Sequence, residues 1–426
     1  MTNDKIQMTN EIPMTRMRIV ADFHIHSKYS RATSGSLDLD ELARWAKIKG
    51  IGLLGTGDFT HPLWLEEMKE KLKPTPGGLF EYQGTHFIPT AEVNTIFYKK
   101  GRAKNVHHVL IIPTVASVEK INRELAHFGD LSSDGRPMLS MEAWRLVEIV
   151  LGIEPRGLVI PAHAWTPHFA IFGSNSGFDT VEECFEHQTK NIYALETGLS
   201  SDPAMNWRLS WLDRYALVSN SDSHSGRRIG REANVFECEL DYDDLTEAIR
   251  KKDGSRFRYT VEFFPEEGKY HYDGHRNCEV CWRPAQTREH KGLCPKCARP
   301  VTIGVMHRVE KLADRPEGFT PPHAIPFKNM VPLDEIIGES LGVGSTSQTV
   351  EREYLGLIRQ FGNEFSILID VAEEELRRYA SSRIAEGILR VRKGQLRIRP
   401  GYDGEYGKIE IFGGEEAKKE KQLELF

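Results

Sequence analysis

The chain of 426 residues lacks several features that would assign it to a simple class of protein. It has no run of the roughly 18 apolar residues that a membrane-spanning helix requires. Its first sixteen residues are polar and contain no apolar core, so they do not resemble a secretory signal, and we expect a disordered tail over residues 1–16. These absences predict a cytoplasmic protein with no membrane partner.

Positive charge is not in excess, because 62 acidic residues outnumber 56 basic residues and give a net charge of −6. This balance excludes a uniformly basic nucleic-acid coat protein but permits local basic surfaces. The chain also has only six cysteines. Without a secretory signal, so few cysteines indicate metal ligands rather than a disulfide framework.

Residues 17–260 alternate short apolar runs with stretches of helical periodicity. Because connections of hairpin length are absent, the pattern predicts parallel strands joined by crossover helices. Seven candidate strands are RIVADFHIH, IGLLGTGD, FIPTAEV, HHVLIIP, GLVIPAHA, YALETG and YALVSNSD. The predicted fold class is α/β, as either a β/α barrel or an open doubly wound sheet.

The remaining residues predict two further units and a tail. Residues 261–330 are rich in Pro, Gly, His and Cys and predict a small zinc module. Two CxxC pairs separated by twelve residues are typical of a structural Zn²⁺ site with four thiolates, Cys278, Cys281, Cys294 and Cys297. Residues 331–412 show helical periodicity followed by a hairpin-like segment, and 413–426 form a charged tail that we expect to be flexible.

The hairpin-like segment alternates in period two around Gly394 and is basic. It predicts a β-hairpin whose basic side chains bind a DNA backbone, although alternating arginines on a strand are also compatible with a solvated face. The candidates are Arg390, Arg392, Lys393, Arg397 and Arg399.

Potential metal ligands occur at or just beyond the end of every predicted barrel strand. His24 and His26 are two residues apart in a strand and therefore point to the same side. The other candidates are Asp58, His61, Glu92, His107 or His108, His163, Glu196, Asp222 and His224. Since parallel β/α folds carry their active sites at these strand ends, we expect a multinuclear site for Zn²⁺, Mn²⁺ or Fe²⁺, in which Glu92 can bridge two ions.

These residues resemble the polymerase and histidinol phosphatase (PHP) metal-dependent phosphoesterases. The resemblance rests on His24-x-His26, the Gly-Thr-Gly-Asp58 turn, Glu92, Pro-Ala-His163 and Ser-Asp222-Ser-His224. It implies a distorted seven-stranded β/α barrel with two or three metal ions. The implied ligands are His24, His26, Asp58, His61, Glu92, His108, His163, Asp222 and His224, with the choice between His107 and His108 left open.

Two departures from the family pattern bear on the chemistry. The chain has Thr56-Gly57-Asp58 where many members have Thr-Asp-His, and Arg31 where some members have a further ligand, so two ions are better supported than three. Arg31 is a candidate to bind a phosphate, with a solvated loop residue as the alternative. Asp222 and Glu196 are candidates to orient the attacking water.

The chain also resembles the endonuclease Q branch of this family. The matching segments are PAHAWTPHFAIFGSNSGF, ALETGLSSDP, SNSDSHSGRRIGREANVF, the two CxxC pairs and RPGYDGEYGKIEIF. The resemblance implies a metal-dependent DNA repair endonuclease that cleaves on the 5′ side of deaminated bases (hypoxanthine, uracil or xanthine) or abasic sites. It also implies Zn²⁺ in both sites, with Mg²⁺ or Mn²⁺ possible in the barrel.

Two alternatives stay open, a phosphomonoesterase of the histidinol phosphatase type and a DNA-binding adaptor without activity. The first leaves the zinc module and the helical region unexplained, and the near-complete ligand set argues against the second.

An enzyme that senses a base must take it out of the stack. The loop after His163 carries aromatic and small polar residues suited to a base pocket, although it is equally compatible with a simple cap on the barrel. The candidates are Trp165, His168, Phe169, Phe172, Ser174 and Asn175.

The last residues suggest a second partner besides damaged DNA. Gln422, Leu425 and Phe426 have the spacing of a shortened sliding-clamp binding box, which predicts binding to the sliding clamp (PCNA).

Overall fold

The structure of the protein is a computed structural model, and it describes residues 16–175 and 177–413. Strands up to residue 262 are β1 (Met17–Asp22), β2 (Leu53–Gly55), β3 (Lys73–Pro74), β4 (Phe80–Tyr82), β5 (Thr85–Ile88), β6 (Thr90–Lys99), β7 (Arg102–Ile111), β8 (Met138–Leu139), β9 (Leu158–Pro161), β10 (Ala194–Glu196), β11 (Ala216–Val218), β12 (Ala233–Cys238) and β13 (Phe257–Glu262). Helices in the same stretch are α1 (Leu39–Lys49), α2 (Pro62–Lys71), α3 (Val115–Leu125), α4 (Ala143–Ile153), α5 (Val181–Phe185), α6 (Pro203–Asn206) and α7 (Tyr242–Arg250).

The second half of the chain is mainly helical. Its helices are α8 (Pro284–Glu289), α9 (Val305–Leu312), α10 (Leu333–Leu341), α11 (Gln348–Phe361), α12 (Glu373–Tyr379) and α13 (Ser382–Arg392), with a π-helical turn at Ser366–Asp370. Its strands are β14 (Asp273–His275), β15 (Val280–Trp282), β16 (Phe327–Asn329), β17 (Arg397–Arg399) and β18 (Lys408–Glu410). Among the helices of the described residues, none is long and apolar enough to cross a membrane.

Seven strands form a closed ring if β5 and β6, which are separated only by Pro89, are counted as one strand. β1, β2 and β5 are parallel neighbours, and β5 continues through Pro89 into β6, which pairs with β7, which in turn pairs with β9. The amide of Ala164 donates to the carbonyl of Glu196 and joins β9 to β10, which is parallel to β11. A bridge between Ile25 and Ser223 joins the ends of β1 and β11. The predicted α/β class and its seven-stranded barrel are therefore confirmed.

The barrel departs from the all-parallel arrangement that the alternating pattern predicts. β6 and β7 form a long antiparallel hairpin, and β7 is also antiparallel to β9. The turn residues Lys100 and Gly101 both have positive φ, 51° and 74°, as a two-residue hairpin turn of type I′ requires. The expectation that hairpin-length connections are absent was wrong, because the Lys-Gly pair between two alternating runs was not recognised as a turn.

The barrel and the helical region share one hydrophobic core. Trp45 and Ile51 of the barrel belong to the same buried cluster as Ile336, Tyr354 and Phe365 of the helical region. In addition, β16, which lies in the segment expected to form the zinc module, pairs in parallel with β13. The predicted domain boundaries at 260, 330 and 412 stay predictions.

The basic segment around Gly394 is not the predicted hairpin. α13 continues through Arg392, because Ile384, Ile388 and Val391 are buried at helical spacing on one face. The hairpin that does form pairs β17 with β18.

This change of structure separates the five basic candidates. The guanidinium of Arg392 donates to the backbone carbonyls of the π-helical turn, and Arg390 pairs with Glu386 of the same helix. Arg397 and Arg399 are exposed on β17 and lie near Glu410, while Lys393 is exposed just after α13. Lys393, Arg397 and Arg399 are thus exposed, whereas Arg390 and Arg392 are partly buried.

Candidate metal centre

Two imidazoles and two carboxylates meet at the barrel mouth and form the first donor set: His24, His26, Glu92 and Asp222. The Nε2 atoms of His24 and His26 lie 3.4 and 3.3 Å from Oε2 of Glu92, and 3.6 and 3.1 Å from Oδ1 of Asp222. All four donor atoms lie within 4.8 Å of one another, close enough for one ion to contact them all.

Glu92 also belongs to a second donor set, which it forms with His107 and His163. Its Oε1 atom lies 2.6 Å from Nδ1 of His107 and 3.1 Å from Nε2 of His163. The two carboxylate oxygens of Glu92 therefore face different donor sets, which is the geometry of a carboxylate that bridges two metal ions.

The chemistry of the first donor set fits a metal ion. Nε2 of His24 is buried and has no hydrogen-bond partner, while Nδ1 of the same ring lies 3.0 Å from the carboxylate of Glu196. A buried polar atom without a partner is costly, and a cation held between His24, Glu92 and Asp222 would satisfy it. Mixed imidazole and carboxylate donors suit Zn²⁺, Mn²⁺ or Fe²⁺.

Two of the predicted site residues lie behind the imidazoles instead of facing the donor set. Glu196 contacts Nδ1 of His24 and accepts a hydrogen bond from the backbone of His163. Asp58 lies 3.0 Å from Nδ1 of His26, and its other oxygen accepts from the backbone and hydroxyl of Ser27. Both carboxylates are fully buried. The sequence predicted that these carboxylates contact a metal ion or the attacking water. In this geometry they instead fix the tautomer and orientation of a ligand imidazole.

The structure favours His107 for the site, whereas the family resemblance implied His108 and left the choice between the two histidines open. Glu92 and Asn94 are on the same face of β6, and Asn94 pairs with His107, so His107 faces the site. His108 pairs with Val93 on the opposite face, where its Nε2 lies 2.9 Å from the hydroxyl of Thr95. The register of the unexpected hairpin decides between the two.

Three further candidates lie outside both donor sets. His61 stacks on Tyr29 with ring centroids 4.3 Å apart, and the ring of His224 lies 4.4 Å from that of His26. Arg31 is 79% exposed and its Nε lies 3.3 Å from Asp134. Within the part of the chain that the structure describes, no third donor set forms in the barrel, so the geometry matches two ions better than three.

The imidazoles of the two donor sets differ in their electrostatic surroundings. Burial lowers the pKa of His24, but the carboxylates of Glu196, Glu92 and Asp222 outweigh it and hold this pKa well above its usual value. By contrast, burial lowers the pKa of His107 to about 4, so this imidazole is neutral at pH 7 and ready to coordinate.

The backbone at the mouth is strained where the functional side chains emerge. The backbone φ angles of Asp58, His163 and Asp222 are 48°, 30° and 47°, values that residues other than glycine rarely adopt. Such conformations cluster at functional sites because the surrounding structure imposes them.

The candidate base-pocket residues divide into core and surface. Trp165 is 1% exposed, donates from Nε1 to the side chain of Asn206 and packs on the fully buried Phe172. These two aromatic rings belong to the hydrophobic core and cannot receive a base. Phe169 is 45% exposed and stacks on His107 with ring centroids 5.1 Å apart. The remaining candidates, His168, Ser174 and Asn175, are exposed in the same loop.

The predicted zinc module of residues 261–330, here called the cysteine module, forms a donor set with one unexpected member. His275, Cys278, Cys294 and Cys297 have donor atoms within 4.8 Å of one another, and Cys281 is not among them. Val280 pairs with His275 across the β14–β15 ribbon, so the next residue, Cys281, points to the opposite face. The structure thus replaces one predicted thiolate with an imidazole.

Arg136 was missed by the sequence analysis. Its Nη1 atom lies 3.1 Å from Oε2 of Glu92. Nothing in the local sequence Gly-Asp-Leu-Ser-Ser-Asp-Gly-Arg marks it, because only tertiary contacts bring this loop to the barrel mouth. Thr166 was also missed, although it is only three residues beyond His163; its hydroxyl lies 2.9 Å from Nδ1 of His163.

A β/α barrel with a carboxylate shared between two donor sets at the barrel mouth defines a metal-dependent hydrolase. The comparisons with known proteins narrow this class.

The chain is 30% identical over 414 residues to the uncharacterized protein YqxK of Bacillus subtilis, covering 92% of this chain and 99% of the relative. The lesion-specific endonuclease PfuEndoQ of Pyrococcus furiosus superposes with a TM-score of 0.84 at 32% identity, covering 93% of this chain and 96% of that chain. An endonuclease Q in complex with a 27-mer duplex substrate carrying an abasic lesion superposes with a TM-score of 0.81 at 33% identity, covering 93% and 97%. Residues 332–395 match the family of MJ0043 C-terminal domains.

The chain therefore belongs to the endonuclease Q family, and the predicted enzyme class, an endonuclease, is confirmed.

Proposed function

We propose that this endonuclease cleaves DNA on the 5′ side of a deaminated base or an abasic site. The observation that carries the proposal is the bridging position of Glu92 between the two donor sets. A relative with 33% identity is described in complex with a duplex that has an abasic lesion at its active site, and that relative covers nearly the whole chain. A phosphomonoesterase would need neither the zinc module nor the helical region.

The donor sets would hold two divalent ions, which we propose to be Zn²⁺, with Mg²⁺ or Mn²⁺ as alternatives. When bound, the ions supply Lewis-acid activation of water and stabilise charge on the phosphate. The residues of the chain hold and orient this centre. His24, His26 and Asp222 would hold one ion, His107 and His163 would hold the other, and Glu92 would contribute to both sites. Glu196 orients the imidazole of His24, and Asp58 orients the imidazole of His26, each through a contact with Nδ1.

Lesion selectivity would come from the surface of the loop after His163. Phe169 offers an exposed ring directly beside the second donor set, since it stacks on His107. A flat aromatic surface there can stack on a base or fill the gap of a missing one, and unpairing costs least at a damaged position. We propose Phe169, with His168, Ser174 and Asn175, as the lesion-sensing surface.

Two partner surfaces complete the proposal. Lys393, Arg397 and Arg399 are exposed and available to the DNA backbone. The sliding clamp is proposed on the sequence of Gln422, Leu425 and Phe426, which lie outside the described residues.

The function is tested with end-labelled duplexes that carry one hypoxanthine, uracil or abasic site, beside an undamaged duplex and p-nitrophenyl phosphate. With Mg²⁺, Mn²⁺ or Zn²⁺ present, we expect one nick immediately 5′ to the lesion and none in the undamaged duplex, because unstacking an intact pair costs a few kcal/mol more. Denaturing gels read the position of the nick. Release of p-nitrophenol while every duplex stays intact would refute the proposal and indicate phosphomonoesterase activity.

The cysteine module makes a separate metal prediction. We propose that it holds one structural Zn²⁺ through His275, Cys278, Cys294 and Cys297. His275→Ala and Cys297→Ser are expected to lose one equivalent of zinc after dialysis against a chelator, because a structural site needs four ligands. Cys281→Ser is the matched control and should keep its zinc. Metal content per chain checks this, and loss of zinc from Cys281→Ser with retention in His275→Ala would contradict the assignment.

A further inference from the structure

Arg136 lies within the metal centre, although it is not one of the donors. Its side chain is 28% exposed, so the guanidinium is largely enclosed but still reaches the solvent-facing mouth. Nη1 contacts Oε2 of Glu92, the same oxygen that faces the imidazoles of His24 and His26. Because each carboxylate oxygen has two lone pairs, this contact is compatible with an ion at that oxygen.

The loop that carries Arg136 is fixed against the residues that orient the ligands. The backbone amide of Gly135 donates to Tyr29, and its carbonyl accepts from the hydroxyl of Thr60. A Cβ atom at Gly135 would lie 2.2 Å from Oγ of Ser30 and 2.3 Å from Oδ2 of Asp58. Only glycine allows the loop to approach this closely, so the position of Arg136 depends on that contact.

The negative charge of the carboxylates at the barrel mouth disfavours binding of a DNA phosphate unless a nearby cation contacts that phosphate. The centre carries the carboxylates of Glu92 and Asp222, which repel a DNA phosphate where the metal ions do not neutralise them. The guanidinium of Arg136 is permanently charged, because arginine does not lose its proton in proteins, and it lies 3.1 Å from Oε2 of Glu92. Its guanidinium has five N–H donors, and one contact with Glu92 leaves others free to reach phosphate oxygens.

We propose that Arg136 is a catalytic residue that donates hydrogen bonds to a non-bridging oxygen of the scissile phosphodiester and stabilises the negative charge that develops there. This inference rests on the proposed function of the same site. The sequence suggested Arg31 as the residue that binds the phosphate. Its side chain is far more exposed than that of Arg136 and is paired with Asp134.

The test compares Arg136→Ala and Arg136→Lys with Arg44→Ala, a matched control on the outer face of α1 whose arginine pairs with Glu41. Single-turnover nicking of an abasic duplex is expected to fall about 10²- to 10³-fold in Arg136→Ala, the usual cost of removing one donor to a developing oxyanion. Arg136→Lys should recover part of the rate, because it keeps the charge without the planar fork. Arg44→Ala should stay within about twofold, as expected for an exposed ion pair.

Three readouts separate a catalytic role from a structural one. Metal content should be unchanged in Arg136→Ala, the inhibition constant of inorganic phosphate should rise, and added guanidinium ion should restore part of the rate. Loss of barrel metal in Arg136→Ala would overturn the proposal, since it would show that Arg136 only supports Glu92. A larger loss of rate in Arg31→Ala than in Arg136→Ala would also overturn it.

Failure of the proposed function is recognised independently. If the wild-type enzyme nicks no lesion duplex, the substrate assignment fails. Hydrolysis of bis-p-nitrophenyl phosphate and inhibition by inorganic phosphate would still report whether Arg136 binds phosphate oxygens.

Discussion

Glu92→Gln is expected to remove barrel metal and to lower the nicking rate by at least about 10³-fold. The substitution keeps the shape of the side chain but replaces a charged donor that faces both donor sets, so it weakens two sites at once. Metal ions contribute several kcal/mol of charge stabilisation, and about 4 kcal/mol corresponds to about 10³ in rate. Single-turnover nicking and metal content per chain are the measurements.

The control for Glu92→Gln is Glu70→Gln, at an exposed position of α2. It should retain full metal content and rate. In Glu92→Gln the zinc of the cysteine module should remain, because that donor set shares no residue with the barrel. A Glu92→Gln variant with normal metal content and normal nicking would refute the bridging role.

Glu364→Ala is expected to lower the free energy of unfolding by about 3–5 kcal/mol, because it leaves a buried ammonium group without its partner. Nζ of Lys49 lies 2.6 Å from Glu364, and the two side chains are only 3% and 5% exposed. Glu364 also accepts hydrogen bonds from the hydroxyl of Tyr354 and the backbone of Leu333. The cluster joins α1 of the barrel to α10 and α11, so its loss should loosen the contact between the two regions.

Chemical denaturation of Glu364→Ala measures this effect against Glu66→Ala. Glu66 forms an ion pair with Lys69 on the surface of α2, where its side chain is 70% exposed, so its removal should cost less than about 1 kcal/mol. Equal losses in the two variants would show that the buried cluster does not stabilise the fold.

The fold class and most of the donor residues could be predicted from the sequence. Short apolar runs mark the predicted strands, and the donors at or just beyond the ends of those predicted strands are His24, His26, Glu92, His163 and Asp222. Strand ends converge in any β/α barrel, so proximity follows from the pattern without knowledge of the side-chain packing.

Choices between neighbouring or equivalent residues could not be predicted. His107 and His108 are adjacent and chemically identical, and only the register of β6 on β7 selects the first. Cys281 fits the cysteine spacing as well as its partners do, yet the ribbon directs it away and brings His275 into the donor set. The same limit applies to Trp165, whose aromatic character suits a pocket and a core equally well.

The sequence alone determined the class of chemistry, since residue types and their periodicity specify strands, helices and ligand types locally. Tertiary structure decided which oxygen faces which imidazole, that Asp58 and Glu196 support ligands from behind, and that Arg136 reaches Glu92. The physical reason is that contacts across the barrel join residues far apart in the chain. Their geometry depends on register and close packing, which local periodicity does not encode.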